Sequence, residues 1–304
     1  MPPPTKYDMT RRRKKILPNV SCVCPGLEVL ALALLLAACS TNPVTGRSQL
    51  AIVPESVAIT QASNSYREMV DSYRNKHQLS QDEKLIKRVR RISDRLIEQA
   101  VRYRPASSQW QWTMEVIDDP KTVNAFCMPG GKMAVYTGLL QKVAPNDDEL
   151  AQVIGHEIAH AISGHGVEKM STQILGNVAV ATVAVATRDS GHNSAAIVGA
   201  ELATLAFINL PNSRGAESEA DRIGIELAAR AGYDPRAAVS LWRKMMSATG
   251  ETSKFDFLST HPASPKRIEA LTALQPSMQG YYEEGRGRRR DPQAWTSGSE
   301  GRRN

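Results

Sequence analysis

Cysteine and aromatic residues are scarce in this chain: four Cys and 5% Phe, Trp and Tyr in 304 residues. So few cysteines exclude a disulfide framework, and stability has to come from aliphatic packing. The apolar stretches fall short of the roughly 20 residues that span a bilayer. Basic charge is missing from the middle. The formal net charge is +7, but residues 1–38 carry +4 and residues 285–304 another +4, which leaves −1 on 39–284. A basic binding face on the core is therefore excluded, and no nucleic-acid partner is expected. Hydrophobic content of 41% and charged content of 23% suit one sizeable globular core rather than a disordered chain. No internal repeat is visible.

Residues 1–38 read as a lipoprotein signal peptide. Arg11 to Lys15 are basic, Val29 to Ala38 are apolar, and Leu36-Ala37-Ala38-Cys39 resembles a bacterial lipobox. On that reading Cys39 becomes the lipidated first residue. Acyl chains that bury methylenes at about 0.8 kcal/mol each then hold the protein to a membrane without a transmembrane helix. The other readings are a plain secretory signal or a short anchor helix with an incidental cysteine. Ser40 stands where inner-membrane lipoproteins carry aspartate. By that resemblance the protein is expected in the periplasm, lipid-anchored to the outer membrane. Cys22 and Cys24 leave with the signal, so Cys127 has no intramolecular partner and is expected as a small buried hydrophobe. Residues 39–54, turn-rich at Thr41 to Gly46, read as a tether, and residues 285–304 as a disordered basic tail.

Between the tether and the tail, residues 55–284 form one domain. Helical patterning covers 55–78, 81–103, Asp147 to His160, 214–231, 235–247 and 264–274. Alternating patterns at 110–117 and 132–137 predict strands, with a turn at Pro129-Gly130-Gly131. The Ala/Val-rich stretch 174–210, broken by Asn177, Arg188-Asp189 and Glu201, reads as a helical hairpin over a cleft or as a segment that dips into a membrane.

The chemistry is concentrated at His156-Glu157-Ile158-Ala159-His160, an H-E-x-x-H motif in a helical setting. Histidines four apart rise about 6 Å along one helix face, so His156 and His160 can share one ion. Zinc accepts neutral imidazole nitrogens and leaves a position for water. Glu157, turned about 100° from His156, reaches that water as general base. A third ligand is sought downstream, where Glu217 and Glu219 lie on one predicted helix. Glu217 is preferred because Asp221, four residues later on its face, can orient a zinc-bound histidine, His156 first. Asp221 could also merely cap the helix. Glu219 points away and reads as a solvated acid. Arg214 reads as a carboxylate or substrate partner or as a surface residue; His77, His165 and His192 carry no pattern.

The chain resembles the HtpX/Oma-type zinc metallopeptidases, the gluzincin family that includes the CAAX prenyl proteases, and in particular its periplasmic lipoprotein members of the LoiP, YcaL and BepA type. The resemblance rests on Asn42-Pro43-Val44-Thr45-Gly46, Asn124-Ala125-Phe126, Pro129-Gly130-Gly131, Tyr136-Thr137-Gly138-Leu139, the H-E-x-x-H helix, Glu217 with Ala220-Asp221, and Ser259-Thr260-His261-Pro262. It implies an α+β, mostly helical, zincin-like domain with a small sheet beside the H-E-x-x-H helix, and one zinc ion per chain. It also implies that Asn124, Ala125 and Phe126 form a substrate-binding edge. His261 then acts at the site, either on the oxyanion or as a metal ligand in a resting state. Cys127-Met128 departs from the aliphatic pair common in relatives. The activity so implied is endopeptidase cleavage of unfolded or misassembled envelope proteins. Polypeptides are then the substrates, and the outer-membrane assembly machinery is a possible partner. The rival reading is a chaperone-like assembly factor in which proteolysis is repressed or secondary.

Overall fold

The computed structural model describes residues 39–188, 193–209, 212–248, 256–262 and 264–290. Residues 1–38, read above as a signal peptide, residues 291–304 and His192 lie outside the described residues.

One enclosed helix organises the described chain. This helix, α4 (Asp147–Ile162), begins where its acidic first turn predicts, and a capping box fixes the start. Asn146 Oδ1 accepts from Glu149 N at 2.8 Å, and Glu149 returns the bond to Asn146 N at 2.9 Å. From Glu149 to Ala159 every side chain is buried, because neighbours cover the helix on all sides rather than along one stripe. They are α2 (Glu83–Tyr103), α7 (Asn212–Arg230), α8 (Ala237–Ala248) and a three-stranded sheet. Val89, Ile92 and Leu96 of α2 pack with Leu150, Ile154 and Ile158 of α4 in one continuous core, each burial contributing about 1.5–3 kcal/mol.

The sheet has the order β3-β5-β4, with β3 (Thr113–Ile117) parallel and β4 (Ala125–Met128) antiparallel to the central β5 (Lys132–Tyr136). All of β5 is buried, while β4 is an edge beside α4. Helix α1 (Glu55–Asn75) covers the sheet's other side, where Tyr66 Oη donates to Met133 O at 2.8 Å. A short helix α3 (Thr137–Lys142) links β5 to α4.

The close contact that positions the site is the crossing of α4 and α7. A Cβ on Gly224 would sit 2.8 Å from His156 N, and one on Gly155 would sit 3.0 Å from Gly224 O. Only hydrogen at both positions lets the two backbones meet beside a histidine.

Three expectations need correction. Residues 39–50 are not a free tether: β1 (Cys39–Thr41) pairs antiparallel with β2 (Ser48–Leu50), and Asn42 between them is buried. Its amide reaches across to Ser163 O at 2.9 Å, which gives the turn a fixed seat. The basic tail does not begin at 285. Helix α10 (Pro265–Arg290) continues past that point to residue 290. Gly285 there lies so close to Arg230 O and Gly232 N that a Cβ would approach to 2.5 Å, and Arg289 pairs with Asp148 at 2.7 Å. The Ala/Val-rich segment forms two helices, α5 (His165–Ala186) and α6 (Asn193–Asn209), as a hairpin requires, but the distal part of α5 is not packed. From residue 173 of α5 onward no side chain is buried, and Val185 is 76% exposed. Among the described residues no helix is long and apolar enough to cross a membrane.

Replacing Gly224 with alanine should force α4 and α7 apart and cost about 1–3 kcal/mol by overpacking. Thermal unfolding of Gly224→Ala against Gly215→Ala, a glycine with open space around it, tests this.

Candidate metal centre

His156 and His160 project from the α4 face that meets α7, and α7 brings Glu217 to them across the glycine crossing. His261, just after the short helix α9 (Asp256–Thr260), completes a cluster of four donors. His156 Nε2 lies 3.1 Å from His160 Nε2, 3.2 Å from His261 Nδ1 and 3.3 Å from Glu217 Oε2. Glu217 Oε1 is 3.2 Å from His160 Nε2, and its Oε2 is 2.9 Å from His261 Nδ1. Ligands held at 2.0–2.1 Å in a tetrahedron stand about 3.3–3.4 Å apart. Imidazole nitrogens with one carboxylate oxygen are also the donor chemistry zinc takes. The residues present therefore fit a zinc ion.

A ring of hydrogen bonds fixes these donors. Asp221 Oδ1 is 3.1 Å from His156 Nδ1. Arg267, on α10, grips the Asp221 carboxylate through Nε at 2.6 Å and Nη2 at 2.7 Å, and its Nη1 reaches Glu217 Oε2 at 3.1 Å. The guanidinium stacks 3.7 Å over the Trp242 ring, a desolvated cation–π contact. The carboxylate-orienting role considered for Arg214 thus falls to Arg267. Arg214 is exposed.

Burial and pairing pull the titrating groups apart. Burial opposes charge on His156, but the Asp221 and Glu217 carboxylates overcome it and the pKa rises to about 9. For His160 burial wins, and the ring stays neutral with a pKa lowered to about 3. Burial also opposes charge on Glu217, yet hydrogen bonds from His156, His160 and His261 hold its carboxyl far below the usual range. Uptake of a metal at neutral pH must displace the proton kept on His156.

Glu157 differs from the other acids. Its carboxyl is buried, and that burial raises its pKa, with the His261 and His156 rings pulling the other way. Among the described residues its Oε1 has no hydrogen-bond partner; His261 Nε2 stands 3.4 Å away. A buried carboxylate oxygen left bare beside four converging donors is poised for a ligand's proton.

The donors open on a cleft of about 340 Å³. Asn124, Ala125, Phe126 and Cys127 line it along the β4 edge, with Glu157 and His160 beneath. Phe126 turns its ring onto Tyr66 and Tyr136, with centroids 6.4 Å away in each case. Cys127 is only half-buried and forms part of the cleft wall, a correction to its expected place in the core.

Two residues dismissed on spacing belong to the site's surroundings. Glu219 is not solvated: its carboxylate takes the Thr45 hydroxyl, Arg47 Nε at 2.8 Å and His165 Nε2 at 2.9 Å. His165 in turn meets His160, Nδ1 to Nδ1, at 2.8 Å. Helical spacing misses this pair because Gly164, at φ +70°, breaks the helix between the two histidines and folds the chain back. A glycine between two His-bearing helical runs was the available signal.

Residues 83–275 match Peptidase family M48. The chain is 34% identical over 243 residues to the mitochondrial metalloendopeptidase OMA1 of Homo sapiens, which covers 77% of this chain and 45% of that protein. It is 33% identical over 155 residues to metalloprotease LoiP of Escherichia coli, covering 50% of this chain and 58% of LoiP. A third relative is the β-barrel assembly-enhancing protease of Yersinia pestis, 31% identical over 157 residues, 48% of this chain and 31% of that protein. The chain spans about half the length of the mammalian relatives it matches.

Substituting Asp221 with asparagine should weaken zinc binding about 10- to 100-fold by loosening His156. Competition with a chelating dye measures this, and circular dichroism should show an unchanged helix content.

Proposed function

The chain belongs to peptidase family M48, and from that membership we propose that it is a zinc-dependent endopeptidase of the bacterial cell envelope. His156, His160 and Glu217 hold the ion, Asp221 orients His156, and Glu157 is the general base. The observation that carries this reading is the bare, buried Glu157 Oε1 beside the four converging donors. When bound, zinc supplies Lewis acidity toward water and toward a carbonyl oxygen.

The chain's own residues supply the rest. With its pKa raised by burial, Glu157 takes a proton from the attacking water and passes it to the departing amine. Among the described strands β4 is an edge, and Ala125, Phe126 and Cys127 on it line the cleft. An extended peptide can add to it as a further strand, which holds the scissile bond against Glu157 through backbone contacts with Asn124, Ala125 and Phe126. Such recognition reads backbone rather than sequence and needs an extended chain, which favours unfolded or misassembled polypeptides over folded ones.

His261 has two uses. With Nδ1 turned toward Glu217 and His156, as here, it fills the corner that water needs and marks a resting state. Swung aside, it can donate to the developing oxyanion. The resting contact also lends weight to the second reading, an assembly factor with repressed proteolysis.

The envelope assignment draws on the lipobox-like sequence ending at Cys39 and on the similarity to the β-barrel assembly-enhancing protease of Yersinia pestis. On this reading Cys39 carries the lipid that holds the protein to the outer membrane, facing the periplasm.

Incubating the zinc-loaded chain with an unfolded protein tests the activity. Glu157→Gln should lose about 10²–10⁴-fold in cleavage rate while retaining zinc; if it cleaves as well as the parent chain, the general-base assignment is wrong. His261→Ala should cleave faster and still bind zinc, and a slower rate with zinc retained would instead make His261 an oxyanion donor. If Glu157→Gln replaces the parent chain in cells with no defect, the assembly-factor reading stands.

A further inference from the structure

An unbroken line of hydrogen bonds joins the metal centre to the segment that follows Cys39. A histidine that gives Nε2 to a metal carries its proton on Nδ1. His160 Nδ1 faces His165 Nδ1 at 2.8 Å, so His165 must accept there and keep its own proton on Nε2. That proton points at Glu219 Oε2, 2.9 Å away, which accepts it as a carboxylate oxygen. Of the two neutral tautomers of His165, only this one satisfies both its contacts, and it is the one that leaves His160 Nε2 bare for an ion. With the opposite tautomer of His165, its Nδ1 proton points at His160, which then carries its own proton on Nε2, where the metal would bind.

Glu219 is held by the turn between β1 and β2. Arg47 Nε donates to its Oε2 at 2.8 Å, the Thr45 hydroxyl and Asn42 Nδ2 donate to its Oε1, and the second of these lies at 3.3 Å. The turn is itself rigid. Asn42 Oδ1 accepts from Val44 N at 2.9 Å and Thr45 N at 3.0 Å, Gly46 reverses the chain at φ +74°, and Arg47 forks onto Glu168 at 3.0 and 2.6 Å. Asn42 is 2% exposed, although it lies only three residues from Cys39.

We propose that residues 42–47 act as a positioning arm that, through Glu219 and His165, fixes the tautomer of His160, so that docking of the arm sets the affinity of the centre for its metal. Arg47, Glu219 and His165 are positioning residues and stand outside the set of four converging donors. The inference rests on the zinc assignment above. It adds that the end of the chain nearest Cys39 is wired to the metal, so whatever lifts the arm loosens the site.

The test measures zinc affinity of the full chain by chelator competition, alongside the visible spectrum of the cobalt(II)-loaded protein and melting of the metal-free form. Failure of the parent chain to bind one zinc would sink the metal assignment; the variants address the arm alone. His165→Leu should bind zinc about 10- to 100-fold more weakly, with an altered cobalt spectrum and a metal-free melting temperature near that of the parent chain. His165→Gln, whose amide can accept from His160 and donate to Glu219, should keep more of the affinity. Arg47→Ala should lose several-fold, and the double variant should bind no more weakly than His165→Leu alone, since Arg47 acts through His165. Affinity of His165→Leu within twofold of the parent, or losses that multiply in the double variant, overturns the proposal. Should His165→Leu fail to fold, Arg47→Ala and Thr45→Val decide it: parental zinc affinity in both overturns the arm, and weakened affinity in both supports it.

Discussion

The close approach of α4 and α7 governs everything at the centre. Donors that share one zinc ion must lie within about 2 Å of one point, and His156 and Glu217, two of the four converging donors, are 61 positions apart and sit on separate helices. Ordinary side chains at a helix contact keep axes 8–10 Å apart. Gly155 and Gly224 remove two of them, so the backbone beside His156 meets α7 directly, within two turns of Glu217. The capping box at Asn146 and Glu149 fixes where α4 begins, and the chain reversal at Gly164 fixes where it ends. The histidines therefore have little freedom along the helix axis.

Packing of this kind puts charge where solvent cannot reach it, and the surrounding residues answer that cost. His156, Glu157 and Asp221 are all buried. An unpaired ion there would cost several kcal/mol, whereas a fully hydrogen-bonded cluster in a low-dielectric setting is strong and rigid. Arg267 supplies the balancing cation and is itself sheltered by Trp242. Glu157 is the exception, with one oxygen unpartnered. An acid left incompletely satisfied within an otherwise saturated network is the mark of a group kept for chemistry rather than for stability.

Around this centre the periphery divides into parts that hold and parts that offer surface. The β1–β2 turn is held, through Asn42 to Ser163 and through Arg47 to Glu168 and Glu219. The β4 edge offers backbone to the cleft. The distal part of the α5–α6 hairpin offers aliphatic side chains such as Val178 and Val198, while its first turns, with Val167, Ser171 and Thr172, remain packed beside the cleft.

The sequence by itself determined the local and periodic features. The extents of α2 and α4, and β3 and β5, follow from hydrophobic spacing, the α+β, mostly helical class from the family resemblance of the motifs, and the pairing of His156 with His160 from four-residue periodicity. Asp221 facing His156 was readable because its distance from Glu217 is also one helical turn. The tertiary structure alone decided contacts between segments with no shared period. Glu219 points away from Glu217 around α7, which on an isolated helix means solvent, but the β1–β2 turn occupies that side and leaves its side chain only 8% exposed. His165 lies beyond a left-handed glycine, so its direction relative to His160 depends on a chain reversal that residue spacing does not encode. Arg267 reaches the site from α10, 46 residues past Asp221. Periodicity reports which residues share a face; which faces meet is settled by the packing of the whole chain.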